Sequence, residues 1–267
     1  MRWLFALLLF VGISARALTI SWTNNFLTVS GDNIPGKSIR ILYIEAFCRS
    51  GSTDRDWSQT VIPHNTRLIS SSTDHKQLNF VTTAENIDAR HQVRAGVEDV
   101  DFIWTIKNTS DKRVDLDWFQ PTCIEVDRFT GGNQTDYWPH CFIFTTNGLT
   151  MLDKTHRTEQ ARYLGGQVYV PRGIDLKSVN PRPISLDQPT NNLIGCYYAD
   201  NRWLLASAWD NTHELFQGVR VCIHGDPQIG GLAPGETKTV RGKLYILKND
   251  PTELLRRYQR DFKQPLP

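Results

Sequence analysis

The chain has 267 residues, 40% of them hydrophobic and 22% charged, with 30 lysines and arginines against 28 aspartates and glutamates. That length can bury a substantial core. The balanced charge lacks the basic excess that nucleic-acid binding relies on, so no nucleic-acid partner is expected.

Residues 1–17 read as a secretory signal peptide, with Arg2 as the charged start, an apolar run from Leu4 to Ile13, and the small-x-small cleavage site Ala15-Arg16-Ala17. The mature chain would begin near Leu18 and be secreted or periplasmic. No transmembrane segment is expected after cleavage, because no later stretch supplies the ~20 apolar residues that a helical span needs. The cysteines, Cys48, Cys123, Cys141, Cys196 and Cys222, all lie in the mature part. Export permits disulfides, yet Cys141 and Cys196 sit in apolar runs where a free thiol serves as a small hydrophobe. Free thiols and one or two bridges therefore both stay open.

Strand signals follow in order. Leu18–Trp22 and Phe26–Val29 flank the turn signal Asn24-Asn25, and Ser38–Phe47 and Leu78–Thr83 are β-rich. Val100–Trp118 reads as a hairpin: Val100, Phe102, Trp104 and Ile106 alternate on one arm, Asn108–Lys112 turns, and Val114, Leu116 and Trp118 alternate on the other. Further strands are expected at Cys141–Thr145, Gly166–Val170, Leu193–Tyr198, Trp203–Trp209, Gly218–His224 and Thr237–Leu247, with an ordered loop at Pro171–Pro189. One helix is expected at about 250–262, capped by Asp250, with Pro251 at its first position and Glu253 completing a capping box. Its stripe of Leu254, Leu255, Tyr258 and Phe262 would pack on the outside of a sheet. The whole reads as an all-β antiparallel β-sandwich, a single domain over 18–267 with one C-terminal helix.

Three stretches concentrate chemistry. In the first, residues 209–236, strand alternation puts Val219, Val221 and Ile223 on one face and Arg220, Cys222 and His224 on the other. His224 is a candidate acid or base, Glu214 or Asp226 its carboxylate partner, and Arg220 a clamp for an anionic group. The plainer alternative pairs Arg220 with a nearby carboxylate and His224 with a backbone carbonyl. The second stretch, Gly131–Cys141, sets Tyr137, Trp138 and His140 beside a glycine-released loop, which suits either a sugar-stacking platform or an aromatic anchor. The third runs from Cys48 through Arg55 and Trp57 to His64, with Arg55 either gripping a ligand or paired with its flanking aspartates. His75, His91 and His156 read as surface or supporting positions.

No G-x-S-x-G elbow, P-loop, dinucleotide fingerprint or H-E-x-x-H motif is present, so no cofactor is expected. No metal ligand is assigned, since spacing alone cannot gather His140, His224 and Asp226. Sequons stand at Asn108 and Asn133.

The segments Phe102–Leu116 and Leu232-Ala-Pro-Gly-Glu236 resemble the galactose mutarotase-like supersandwich group, which includes sugar epimerases and domains of glycoside hydrolases and polysaccharide lyases. The epimerases' Asn-His-x-Tyr-Phe-Asn segment is absent. The resemblance implies a supersandwich and a carbohydrate setting. The expectation is therefore a secreted enzyme that cleaves a polysaccharide or oligosaccharide, a hydrolase or a lyase. His224 and His140 would serve as acid and base, with Glu214 or Asp226 as partner. Arg55 and Arg220 would hold the sugar, Trp57, Tyr137 and Trp138 would stack on it, and His64 would line the site. The alternative is a non-catalytic glycan-binding or cell-surface module.

Overall fold

A computed structural model describes residues 17–262, so the signal-like segment lies outside the described residues except at its last position. Nineteen strands and four α-helices are formed among them. In chain order they are β1 (Thr19–Thr23), β2 (Phe26–Ser30), β3 (Ser38–Leu42), β4 (Ala46–Cys48), α1 (Trp57–Thr60), β5 (Val61–Ile62), β6 (Asn65–Ser71), β7 (Gln77–Ala84), β8 (Ile87–Ala95) and β9 (Asp99–Asn108). Then come β10 (Trp118–Gln120), β11 (Cys123–Glu125), α2 (Asp127–Thr130), β12 (Cys141–Thr145), β13 (Gly148–Met151), α3 (Glu159–Leu164) and β14 (Gln167–Tyr169). The chain ends with β15 (Ile194–Tyr197), β16 (Trp203–Trp209), β17 (Thr212–Gln217), β18 (Cys222–Pro227), β19 (Thr237–Lys248) and α4 (Pro251–Phe262).

The strands make an antiparallel sandwich, as the alternation predicts. A seven-stranded sheet runs β1-β2-β3-β11-β18-β17-β14, a nine-stranded sheet runs β13-β12-β15-β16-β19-β9-β8-β7-β6, and β10-β4-β5 form a small third sheet. Leu27, Ile41, Ile124 and Ile223 lie side by side across the seven-stranded sheet, all wholly buried. They share one core with Phe102, Trp104, Leu205 and Leu244 of the nine-stranded sheet. Burying each such side chain contributes about 1.5–3 kcal/mol. The nine-stranded sheet is covered on its other face as well: Leu254, Tyr258 and Phe262 of α4 pack on Phe142, Phe144, Tyr245 and Leu247. The helix thus sits where its apolar stripe predicts. No helix among the described residues is long and apolar enough to cross a membrane.

Asn24 and Asn25 both take positive φ, 51° and 64°, and join β1 to β2 in the tight turn their sequence signals. The expected Val100–Trp118 hairpin does not form. β9 pairs with β8 and β19, while Val114 makes only an isolated bridge to Leu232 and Trp118 enters the small sheet with β4. Alternation cannot tell a hairpin arm from a strand that leaves for another sheet. The true hairpin partner, β8, carries its apolar positions at Ile87, Ala89, His91 and Val93. His91 among them is 3% exposed, so its surface reading is also corrected. All five cysteines are free and buried.

Candidate functional site

The outer face of the seven-stranded sheet carries the site. Because side chains alternate, the residues that flank the core row point away from it. The register sets Arg40 beside Glu125 and Glu125 beside Cys222, with Phe26 beside Leu42 and Leu42 beside Cys123. On β18 the same face carries Cys222, His224 and Asp226. The bond pattern with β17 puts Phe216 opposite His224 and Glu214 opposite Asp226. A cleft of about 300 Å³ opens over this face, lined chiefly by Arg40, Glu45, Cys123, Glu125, Arg220 and Cys222.

Behind the cleft floor stands a chain of titratable groups. Glu45 Oε2, on the loop after β3, is 3.5 Å from His224 Nε2, and Cys222 Sγ is 3.4 Å from the same nitrogen. On the ring's other side Asp226 Oδ1 is 3.7 Å from Nδ1. Gln120 Nε2 donates to Asp226 Oδ2 at 3.1 Å, which leaves Oδ1 buried and without a hydrogen-bond partner. Cys123, Cys222 and His224 bring one donor atom each within 4.8 Å of one another. Burial works against a charge on His224, but the neighbouring Cys123 sulfur and the Asp226 carboxylate outweigh it and hold the imidazole pKa well above its ordinary value. Burial pushes Asp226 up to about 6 against the pull of His224. The contact with Cys222, together with burial, raises the Cys123 thiol well above the usual thiol range.

The first expected stretch is therefore partly assembled. His224 and Asp226 are neighbours, and Arg220 lies at the cleft rim. Arg220 is not on the strand, however. It sits in the short turn between β17 and β18, where Cys222 N–H donates to Arg220 O at 2.6 Å. A Cβ on Gly218 would lie 2.4 Å from Cys222 Sγ, so only glycine lets the thiol occupy this place. Glu214 is turned elsewhere. Its carboxylate accepts the Asn180 N–H at 3.0 Å and meets His213 Nδ1 at 3.0 Å, anchoring the Pro171–Pro189 loop.

The second and third stretches do not join the cluster. Tyr137 is wholly buried, and its hydroxyl donates to Gly218 O at 2.7 Å, so no ring face is free for a sugar. It braces the turn that carries Arg220 and leads into Cys222. Trp138 lies under the Arg157 guanidinium, 4.4 Å from the ring centre, and donates to Thr135 O. His140 ends the 3-10 turn Trp138–His140 that leads into β12 of the other sheet. Among the described residues no hydrogen bond or ion pair links it to His224, so it is not the second half of an acid–base pair. Trp57 is half-exposed but leans on Trp118, 6.2 Å between ring centres. His64 sets its ring edge-on to Phe47, and burial lowers its pKa while the carbonyls of Ile62 and Ile44 raise it. Arg55 is exposed in the loop before α1 and lines no part of the cleft.

Sequence reading missed Glu45, Cys123, Gln120 and Arg40. Cys123 and Glu125 did carry a signal: they alternate about Ile124 as Cys222 and His224 alternate about Ile223.

No family model matches the chain, and no curated protein matches it. Among solved structures the chain is similar to a protein from Synechocystis sp. PCC 6803, at 8% identity over 87% of this chain and 96% of that one, TM-score 0.48. A galactose mutarotase-like protein from Clostridium acetobutylicum matches at 11% identity over 86% and 94%, TM-score 0.44. A galactose 1-epimerase from Lactobacillus acidophilus NCFM matches at 9% identity over 88% and 99%, TM-score 0.40. The group that the sequence resembles is the group these last two are named for. The neighbours' names speak of an epimerase and a mutarotase-like protein and not of glycan cleavage, and the expectation of a glycoside hydrolase or polysaccharide lyase is corrected accordingly. The two carboxylates that the sequence reading assigned to cleavage are also not placed for it. Glycoside hydrolysis needs two carboxyl groups flanking the sugar, whereas Glu214 and Asp226 stand side by side with neither exposed to solvent.

Proposed function

We propose that the cleft binds a single sugar unit and interconverts its anomers, with Glu45 and His224 moving the protons. The observation that carries this reading is the line Glu45–His224–Asp226, with separations of 3.5 and 3.7 Å, running from the open cleft into the protein. Opening a cyclic hemiacetal removes a proton from the anomeric hydroxyl and delivers one to the ring oxygen. Closing it on the other face reverses both transfers. Glu45, with 38% of its side chain exposed, supplies a base at the cleft. The imidazole behind it, held protonated to unusually high pH, supplies an acid. Arg40 and Arg220 offer donors to the sugar hydroxyls, and about 300 Å³ suits one ring better than a polymer.

The test is anomer exchange by NMR on freshly dissolved aldoses, galactose and glucose first. We expect acceleration above the spontaneous rate, reduced about 10²-fold or more by Glu45→Gln and by His224→Gln. A panel of aldoses exchanging at the spontaneous rate with the native protein would sink the reading. A second reading, sugar recognition without turnover, is favoured by His224 being only 1% exposed and standing behind the cleft lining. It predicts saturable binding with no exchange.

A further inference from the structure

We propose that Cys123, Cys222 and His224 are the ligands of a thiophilic metal ion, zinc(II) in the first instance, with Glu45 or water at the fourth position. This does not rest on the sugar reading.

Zinc bound tetrahedrally, with about 2.3 Å to sulfur and about 2.0 Å to nitrogen, needs donors roughly 3.3–3.8 Å apart. Cys222 Sγ and Glu45 Oε2 lie 3.4 and 3.5 Å from His224 Nε2, within that range. Cys123 completes a set whose atoms all fall within 4.8 Å of one another, which a small inward rotation of the thiols would close on an ion. Two thiolates and one imidazole form the soft donor set that selects zinc over magnesium or calcium. Binding replaces the two thiol protons and neutralises the ion's charge in a buried site.

Two observations separate this cluster from a chance meeting of buried thiols. The first is the register. Ile124 pairs with Ile223 and Glu125 with Cys222, so Cys123 stands opposite His224 and diagonal to Cys222. Diagonal neighbours have Cα atoms about 7–8 Å apart, beyond the ~4.4–6.8 Å that a disulfide spans. The strands thus bring both sulfurs to one point, and both cysteines are free. The second is Asp226 Oδ1, buried without a hydrogen-bond partner and 3.7 Å from His224 Nδ1. A histidine that binds metal through Nε2 donates its Nδ1–H to such a carboxylate, which fixes the ring and strengthens it as a ligand. Gln120 Nε2 also stands 3.4 Å from Nδ1, but it donates to Asp226 Oδ2 at 3.1 Å, so the orphan oxygen is where the Nδ1–H of a metal-bound His224 would go.

The experiment is a titration of the reduced full chain with zinc(II) against a chromophoric chelator, with cobalt(II) as a spectroscopic probe. We expect one ion per chain and, with cobalt, thiolate charge-transfer and tetrahedral ligand-field absorption. Cys222→Ser, Cys123→Ser and His224→Ala should each weaken binding at least 100-fold, and Asp226→Asn 10- to 100-fold. Cys48→Ser and Cys141→Ser remove buried thiols elsewhere and should leave the affinity unchanged. The variants' circular dichroism shows that loss of binding is not loss of fold, and Asp226→Asn, which keeps shape, serves where a ligand variant fails to fold. Absence of stoichiometric binding to the reduced chain, binding that survives Cys222→Ser, or equal sensitivity to Cys141→Ser would overturn the proposal. Zinc on Nε2 would also take His224 out of proton transfer, so bound zinc should slow anomer exchange. Failure of the sugar reading leaves the metal titration untouched.

Discussion

Of the two large sheets, the nine-stranded one buries His91 and the seven-stranded one buries His213 and His224, and the rings of His91 and His224 are held in opposite ways. His91, in the nine-stranded sheet, lies flat on Trp104 with 3.8 Å between ring centres and stacks on Phe80 at 5.0 Å. Both its nitrogens are matched by neutral hydroxyls, Tyr43 at 2.7 Å and Thr82 at 2.9 Å. His224, in the seven-stranded sheet, is bordered by a thiol and two carboxylates, one of whose oxygens has no hydrogen-bond partner. A buried polar group whose every bond is satisfied by neutral partners strengthens a core. One left beside unspent acidic groups keeps capacity for a proton or an ion. The surroundings differ to match: α4 covers the β12, β16 and β19 part of the nine-stranded sheet, whereas a cleft opens over His224's face of the seven-stranded sheet.

The largest expected effect tests the inert side of the comparison. Burial lowers His91 to about 3, whereas an imidazole in the unfolded chain titrates near 6.5. Between those values the unfolded chain takes up a proton that the folded chain refuses. The stabilisation is therefore complete above about pH 6.5, declines as pH falls through the window and levels off below about 3. At 1.36 kcal/mol per pH unit the loss is roughly 3–5 kcal/mol. Urea unfolding at pH 7 and pH 4 reads it directly, and His91→Phe should lose this part of the slope. An unchanged slope would mean that the folded chain does not hold His91 neutral, and the contrast with His224 would fail.

A smaller effect sharpens the other side. Tyr137 donates to Gly218 O and receives Gln217 Nε2 at 2.8 Å, which ties down the turn between β17 and β18. Tyr137→Phe leaves the Gly218 carbonyl without this donor and should cost about 1–2 kcal/mol. It should also lower both anomer exchange and zinc affinity, because the turn positions Arg220 and Cys222. A stability loss with both activities intact would make Tyr137 a core residue only.

How far the sequence reveals the site follows from the range of its signals. Period-two alternation is local, and it correctly put Cys222 and His224 on one face and Leu254, Tyr258 and Phe262 on one stripe. Cys123 joins His224 only through the β11–β18 register, across about a hundred residues, and Glu45 only through the loop after β3. Neither distance leaves a mark in spacing. The aromatic loop misled for a physical reason. Tyr137 and Trp138 are adjacent in sequence, yet one is sealed under the Gly218 turn and the other lies beneath Arg157. Composition cannot distinguish a ring that stacks on a ligand from one that stacks on its own protein.

The smallest effect concerns what covers each sheet. Asp250 Oδ1 accepts the Glu253 N–H at 3.0 Å and so caps α4. The Glu253 carboxylate is drawn instead to Arg256 and Arg257, each at 2.7 Å, so the reciprocal half of the capping box is not made. The cap thus rests on Asp250 alone, and Asp250→Ala should cost about 1 kcal/mol. That loss loosens the apolar cover that Leu254, Tyr258 and Phe262 give the nine-stranded sheet. Among the described residues no such helix lies over β3, β11 and β18 of the seven-stranded sheet, where the cleft opens. Thermal unfolding should register the change, while anomer exchange and zinc affinity stay at their native values. If Asp250→Ala alters either, the covered and open faces are coupled through the shared core, and the division of labour between the two sheets does not hold.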